Sequence, residues 1–235
     1  DTLYSMVSGT KGMNVIAPTW FSMTDENGAF RSFATAGYVT TAHQMGLQVW
    51  GVLDNFNYAN ENGISISTLN MLSSTTARQN LVKNVTDTAV GLGLDGINVD
   101  FEQLSSDCGP HYVEFLRELS IECRNKGLVL SIDNYVPFNF NDYYRLDIQG
   151  EVADYVIIMG YDEHYAGSAE AGSVASINFV EEGIKQTVEQ VPANKIINAV
   201  PFYTRFWKTD PDGTVSSEAL GMNAADEKVA NNNAE

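Results

Sequence analysis

A chain of 235 residues with 44% hydrophobic side chains has ordinary globular composition and can bury a sizeable core, enough for one large α/β domain. Its mean hydropathy is -0.16, and no apolar run is long enough to span a bilayer. Thirteen Lys plus Arg against thirty Asp plus Glu give a net charge of -17, which argues against nucleic acid or an anionic membrane as the main partner. The opening DTLYSMVSGTKGM has no basic region followed by an apolar stretch, so a signal peptide is expected to be already removed or to lie outside this stretch.

In chain order, MNVIAPTWF (Met13 to Phe21) reads as a strand, followed by a helix around Thr35 to Met45 and a strand LQVWGVLD (Leu47 to Asp54). A helix from about Thr76 places Leu81, Val82, Val85 and Ala89 on one face, with Thr76 and Gln79 spaced as a capping box. It ends near Gly91 and Gly93, before the strand DGINVDFE. Pro110 opens a helix with Val113, Leu116 and Leu119 at helical spacing, and Gly127 closes it before LVLSIDNYV. The strand YVIIMGYD (Tyr155 to Asp162), a helix carrying Val180, Ile184 and Val188, and the strand KIINAVPFY (Lys195 to Tyr203) follow. The segment after Trp207 is polar and reads as loop with a short terminal helix and no strand.

Near-continuous Val, Ile and Leu strands separated by helices predict a parallel sheet covered on both faces. No G-x-G-x-x-G or Walker pattern follows the first strands, which weakens a nucleotide-binding reading. Polar and aromatic residues gather instead at strand C-terminal ends: Trp20, Asp54, Asp100 with Glu102, Asn134, Tyr161 with Asp162, and Tyr203. That distribution favours a (β/α) barrel, although six strands are legible where a closed barrel has eight.

The most informative segment is Asp95 to Glu102. In an extended strand Ile97, Val99 and Phe101 face one way and Asn98, Asp100 and Glu102 the other, which puts two carboxylates roughly 6.6 Å apart on one face. Burying carboxylates is costly, so this spacing points to chemistry. Asp95 is out of phase and is assigned to hydrogen bonding at the strand start.

DGINVDFE resembles the D-G-x-D-x-D-x-E signature of glycoside hydrolase family 18, the chitinase-like family. MGYD (Met159 to Asp162) resembles its M-x-Y-D segment, and VPFYTRFW (Val200 to Trp207) its G-x-P-x-Y-x-R segment. With APTWFS, QVWG, YDEH and AGSVAS, the pattern is similar to the bacterial subgroup that acts on spore cortex or other peptidoglycan and is often fused to LysM modules. The resemblance implies a single (β/α)8 TIM barrel over residues 1–235, truncated so that strands two to seven are present and the first and last are missing. The family's last strand supplies a Trp under the sugar, and none of Trp20, Trp50 and Trp207 is placed to be it. Either the chain is a fragment or a second copy completes the sheet.

The resemblance also implies a mechanism without metal or cofactor, on a polysaccharide containing N-acetylglucosamine, outside the cell or in the wall or spore of a bacterium. Glu102 would be the general acid, its pKa raised by partial burial and by Asp100, while the substrate's N-acetyl carbonyl attacks the anomeric carbon. Asp100 would hold the acetamido N–H, and Tyr161 the acetamido oxygen, with Asp162 and Tyr203 in the same subsite. Asn98 stands where the family usually has Asp; an amide can hydrogen-bond Asp100 but cannot share a proton with it. Arg205 either contacts substrate or pairs with an acid. Trp20, Trp50 and the aromatic run Pro137 to Tyr144 are either sugar platforms or core. A lectin-like binding protein on the same scaffold is the alternative function, although such members typically lose the acid.

Among the remaining reactive residues, Cys108 and Cys123 are expected to be free, since the helical pattern between them holds them about 20 Å apart. His43 and His111 carry no assigned function. His164 with Asp162 and Glu102 lacks any close Cys/His or H-E-x-x-H spacing for a metal.

Overall fold

The computed structural model describes residues 2–57, 63 and 65–232. The chain divides into two compact units, one formed by residues 1–134 and 138–156, the other by residues 135–137 and 157–235.

The first unit runs α1 (Thr2–Val7), β1 (Val15–Ile16), β2 (Thr19–Met23), β3 (Phe30–Ser32), α2 (Ala36–Gln44), β4 (Gln48–Asp54), α3 (Thr68–Ser73), α4 (Thr75–Leu92), β5 (Gly96–Asp100), α5 (Gly109–Lys126), β6 (Val129–Tyr135) and α6 (Leu146–Val152). Its sheet has the order β3-β2-β4-β5-β6, with β1 beside β4. The pairs β2–β4, β4–β5 and β5–β6 are parallel, and β3 is an antiparallel edge strand. The predicted run MNVIAPTWF is two strands, because Pro18 has no N–H to donate; its carbonyl accepts from Val52 instead at 2.9 Å.

The predicted helices occur close to their expected bounds. Thr35 caps α2 by accepting the Tyr38 N–H. The cap of α4 is Ser74, which accepts from Ala77 N–H at 3.3 Å, so the predicted Thr76 capping box lies inside the helix. Gly93 and Gly127 end α4 and α5 in the left-handed conformation, at φ 79° and 70°, that other residues rarely adopt. Leu81, Val82, Val85 and Ala89 of α4 and Val113, Leu116 and Leu119 of α5 are buried, as their spacing requires. Cys108 and Cys123 are free thiols, and burial pushes the Cys123 thiol up to about 12.

β7 (Tyr155–Met159) carries the chain into the second unit, which continues through α7 (Ile177–Val188), β8 (Ile196–Ala199), β9 (Tyr203–Thr209), β10 (Val215–Gly221) and α8 (Met222–Asn232). The polar tail read as loop is a hairpin: β9 and β10 pair antiparallel from Tyr203↔Gly221 to Thr209↔Val215. Its strands carry little hydrophobic signal, since Leu220 is their one buried apolar side chain, at 8% exposure. The turn Asp210-Pro-Asp-Gly is closed by Gly213 at φ 86°. Tyr203 therefore begins a hairpin strand rather than ending the KIINAVPFY strand, which stops at Ala199. In α7 the buried positions are Gly183 and Thr187, while Val188 is 46% exposed, so the inward stripe is offset from the predicted one.

Candidate active site

The sequence of β5 shows how the strand is fixed in the sheet. Asp95 accepts the Val49 N–H at 2.7 Å and pairs with His43 Nε2 at 2.8 Å, which gives both residues the structural role at the strand start. A Cβ on Gly96 would lie 2.8 Å from the Val129 carbonyl and from the Trp50 ring, so only glycine permits this spacing. Ile97, Val99 and Phe101 are buried on one face, and Phe101 stacks on Phe115 and Tyr112 of α5 at 5.3 and 6.1 Å. The polar residues occupy the other face, as alternation requires.

Around that face gather three acids from three strands, Asp54, Asp100 and Asp133, with Glu102 just beyond the end of β5. Asp54 at the end of β4 is the register partner of Asp100, and Asn98 is the partner of Ser131 on β6. Asn98 Nδ2 donates to Ser131 Oγ and to Asp133 Oδ1, both at 2.9 Å. Its amide is thus turned to β6 and makes no hydrogen bond to Asp100, contrary to the expectation from sequence; Asn98 Oδ1 and Asp100 Oδ1 are both buried without a partner. Asn98 is 1% exposed and lies beneath the acids. Burial pushes the Asp100 carboxyl up to about 8, helped by the charges of Asp133, Glu102 and Asp54. Burial also raises Asp133, to about 6, against the hydrogen bond from Asn98. Asp100 therefore has a carboxylate neighbour after all, contributed by β6 rather than by position 98.

Glu102 lies two residues beyond the last strand residue, where no ladder holds the backbone. Side chains do so instead. Asn55 Nδ2 donates to the Glu102 carbonyl and Asn55 Oδ1 accepts the Glu102 N–H, both at 2.9 Å, while Asn55 Nδ2 also reaches Thr68 Oγ1. Tyr144 donates to the Phe101 carbonyl and accepts the Leu104 N–H, both at 3.2 Å, and Tyr143 donates to the Leu104 carbonyl at 2.7 Å. Between them Gln103 is held at φ 54°, a left-handed conformation that costs a non-glycine residue about 1–2 kcal/mol. Five backbone groups of residues 101–104 are thus fixed by three side chains. Tyr144 is itself locked by Gln149, which accepts from Asn134 Nδ2 at 2.7 Å and donates to Asn134 Oδ1 and to the Tyr144 carbonyl.

The second unit brings its own predicted residues together. Tyr203 donates to Asp162 Oδ1 at 2.6 Å, and its ring meets that of Tyr161 edge-on at 6.2 Å. Asp162 sits at φ 59°, which a short acidic side chain tolerates. Arg205 Nη1 donates to Ser217 Oγ across the hairpin at 3.0 Å and its Nε is buried without a partner. His164 Nδ1 faces the Ser173 carbonyl at 3.0 Å.

Residues 64–234 match the model of the family described as Glycosyl hydrolases family 18. The chain belongs to family 18. Over 162 residues it is 38% identical to YdhD of Bacillus subtilis, provisionally named a sporulation-specific glycosylase, across 66% of this chain and 38% of that protein. The crystal structure of YdhD superposes with a TM-score of 0.81 at 29% identity, over 92% of this chain and 72% of that one. A cortical fragment-lytic enzyme of Bacillus anthracis is 27% identical over 180 residues, 72% of this chain and 40% of that one. A chitinase from Chromobacterium violaceum shares the fold, with a TM-score of 0.80 at 24% identity over 98% of this chain and 71% of that one. These family 18 neighbours give the chain a TIM-barrel-like α/β fold. The chain spans between 33% and 60% of the length of the curated relatives it matches.

Within the family 18 motif the sequence reading located Asn98, Asp100 and Glu102 but missed Asn55 and Asp133. Asn55 directly follows β4 and Asp133 lies within β6, the two strands that flank β5. The signal for Asp133 was its place in a Leu-Ser-Ile-Asp-Asn alternation, polar on the same face as Ser131. Trp50 is 5% exposed and stacks on Tyr155 at 5.4 Å, which makes it core. Trp20 is half-buried, edge-on to Tyr38 at 4.9 Å.

Proposed function

We propose that the chain is a glycoside hydrolase that cleaves β-1,4-linked N-acetylglucosamine glycans of peptidoglycan or chitin with retention of configuration. The observation that carries this reading is Glu102 clamped by Asn55 beyond the end of β5, two residues after a half-buried Asp100, inside the family motif. In the substrate-assisted scheme, Glu102 gives its proton to the leaving oxygen while the acetamido carbonyl oxygen bonds to the anomeric carbon. The Glu102 carboxylate then takes a proton from the water that reopens the oxazolinium-type ion.

Asp100 faces the charge that develops on the acetamido group, and a cation beside it favours its ionised form. Tyr161, Asp162, Tyr203 and Arg205 are substrate-contacting residues in this reading, with Trp20 as a sugar platform. Asn98 acts through Asp133. The strands β2, β4, β5, β6, β7 and β8 correspond to strands two to seven of the family barrel. The named Bacillus relatives favour a wall or spore location and a glycan partner.

The test is to incubate the chain with purified peptidoglycan and with chitin oligomers and to identify new reducing ends. N-acetylglucosamine ends are expected from at least one substrate, with loss in Glu102→Gln. Their absence from both, or unchanged release by Glu102→Gln, overturns the reading.

A further inference from the structure

On the side of β4 away from β5, the first unit carries a pocket of about 240 Å³ lined by Trp20, Ser22, Arg31, Phe33, Asp54 and Phe56, among others. Its walls are aromatic: Phe33 is 59% and Phe56 38% exposed, and the half-buried Trp20 ring is braced by Tyr38. Exposed aromatic faces around a small concave space suit the apolar face of a sugar, with a few polar groups to fix its orientation.

The pocket's two charged residues are differently placed. Asp54 is 3% exposed, and its Oδ1 already accepts from the Ser22 hydroxyl at 2.6 Å and the Phe56 N–H at 3.0 Å. Arg31 on β3 is exposed, and its guanidinium carbon stands 4.8 Å from the Phe33 ring centroid. No ion pair among the described residues uses it, in a chain with thirty acids and thirteen bases. The charge that meets an incoming group is therefore positive, and stacking on Phe33 holds the planar fork in a geometry that suits a carboxylate. The pocket is also one strand from the row of acids, since Asp54 and Asp100 are register partners.

We propose that this pocket is a subsite for an amino sugar bearing a carboxylate, and that Arg31 separates acidic cell-wall glycan from neutral chitin. The assignment rests on the glycan-hydrolase reading and adds the substrate class.

Binding is measured by calorimetry in the Glu102→Gln background, where turnover cannot interfere. The probes are a tetrasaccharide of alternating N-acetylglucosamine and N-acetylmuramic acid with free lactyl carboxylates, and neutral N-acetylchitotetraose. Arg31→Ala is expected to weaken the acidic probe by roughly 10- to 100-fold, the range of one charge-assisted hydrogen bond, and to leave the neutral probe within about twofold. Arg31→Lys, which keeps charge without the fork, should fall between, and added salt should weaken only the acidic probe.

Equal weakening of both probes, no change in either, or failure of both to bind overturns the assignment. An intact contrast in binding together with no release of reducing ends by the unmodified chain would instead overturn the hydrolase reading and leave the subsite standing.

Discussion

The two units build their polar clusters by opposite means. In the first, the acids stand on or just beyond the inner strands of a sheet, and buried amides hold them: Asn98 bonds Asp133, and Asn55 bonds the Glu102 backbone. In the second, Tyr161, Asp162, Tyr203 and Arg205 lie on a strand exit and a hairpin whose side chains are mostly half-exposed. A rigid buried network suits groups that must meet a transition state, while an adaptable polar surface suits groups that grip a substrate. Changes in the acid cluster of the first unit and its amide supports should therefore fall on kcat, and changes in the second unit on KM.

The largest effect expected is that of Glu102→Gln, a loss of roughly 10²- to 10⁴-fold in kcat, read from initial rates on whichever glycan the chain cleaves. Asn55→Ala comes next. It strips the Glu102 N–H and carbonyl of their partners and should lower kcat by roughly 10- to 100-fold with KM within about twofold, a loss of positioning. Denaturant unfolding should show a cost of about 1–3 kcal/mol. A rise in KM with kcat intact would break the division between the units.

Asp133→Asn tests the coupling across strands. Without the neighbouring charge, the Asp100 carboxyl should ionise below about 8, and the kinetic limb that reports it should move to lower pH, whereas an unmoved limb would separate Asp133 from the chemistry. The same pair sets a pH dependence of stability. Asp100 and Asp133 are both raised in the fold, to about 8 and about 6, so the native state keeps protons that the unfolded chain releases. Their contribution is full below about pH 4 and is lost as pH rises through 6 and then 8. The urea midpoint should be higher at pH 5.5 than at pH 8.5, and Asp100→Asn should flatten the difference. The smallest effect belongs to Tyr203→Phe, which removes the 2.6 Å bond to Asp162 on a partly exposed surface. A several-fold rise in KM with little change in kcat is expected from steady-state kinetics.

Much of this was legible in the chain. The six apolar strands, the helix faces of α4 and α5, the glycine stops at Gly93 and Gly127, and the alternating face of β5 all follow from local periodicity and backbone preference. The β9–β10 hairpin was not legible, because its strands bury one apolar side chain and so carry almost no hydrophobic signal. Nor was the inward stripe of α7, where Gly183 sits close enough to Val136 that a Cβ would meet it at 3.0 Å.

The sequence by itself determined that Asn98, Asp100 and Glu102 share a face, since a two-residue period is a property of the extended backbone alone. It determined family membership by the same short spacings. Only the tertiary structure decided which groups surround those acids. Parallel register set Asp54 and Ser131 opposite them, turned the Asn98 amide towards Asp133, and brought Asn55 from 47 positions away to hold Glu102. Those relations are long-range, so no local pattern encodes them, and they fix both the protonation of Asp100 and the backbone that carries Glu102.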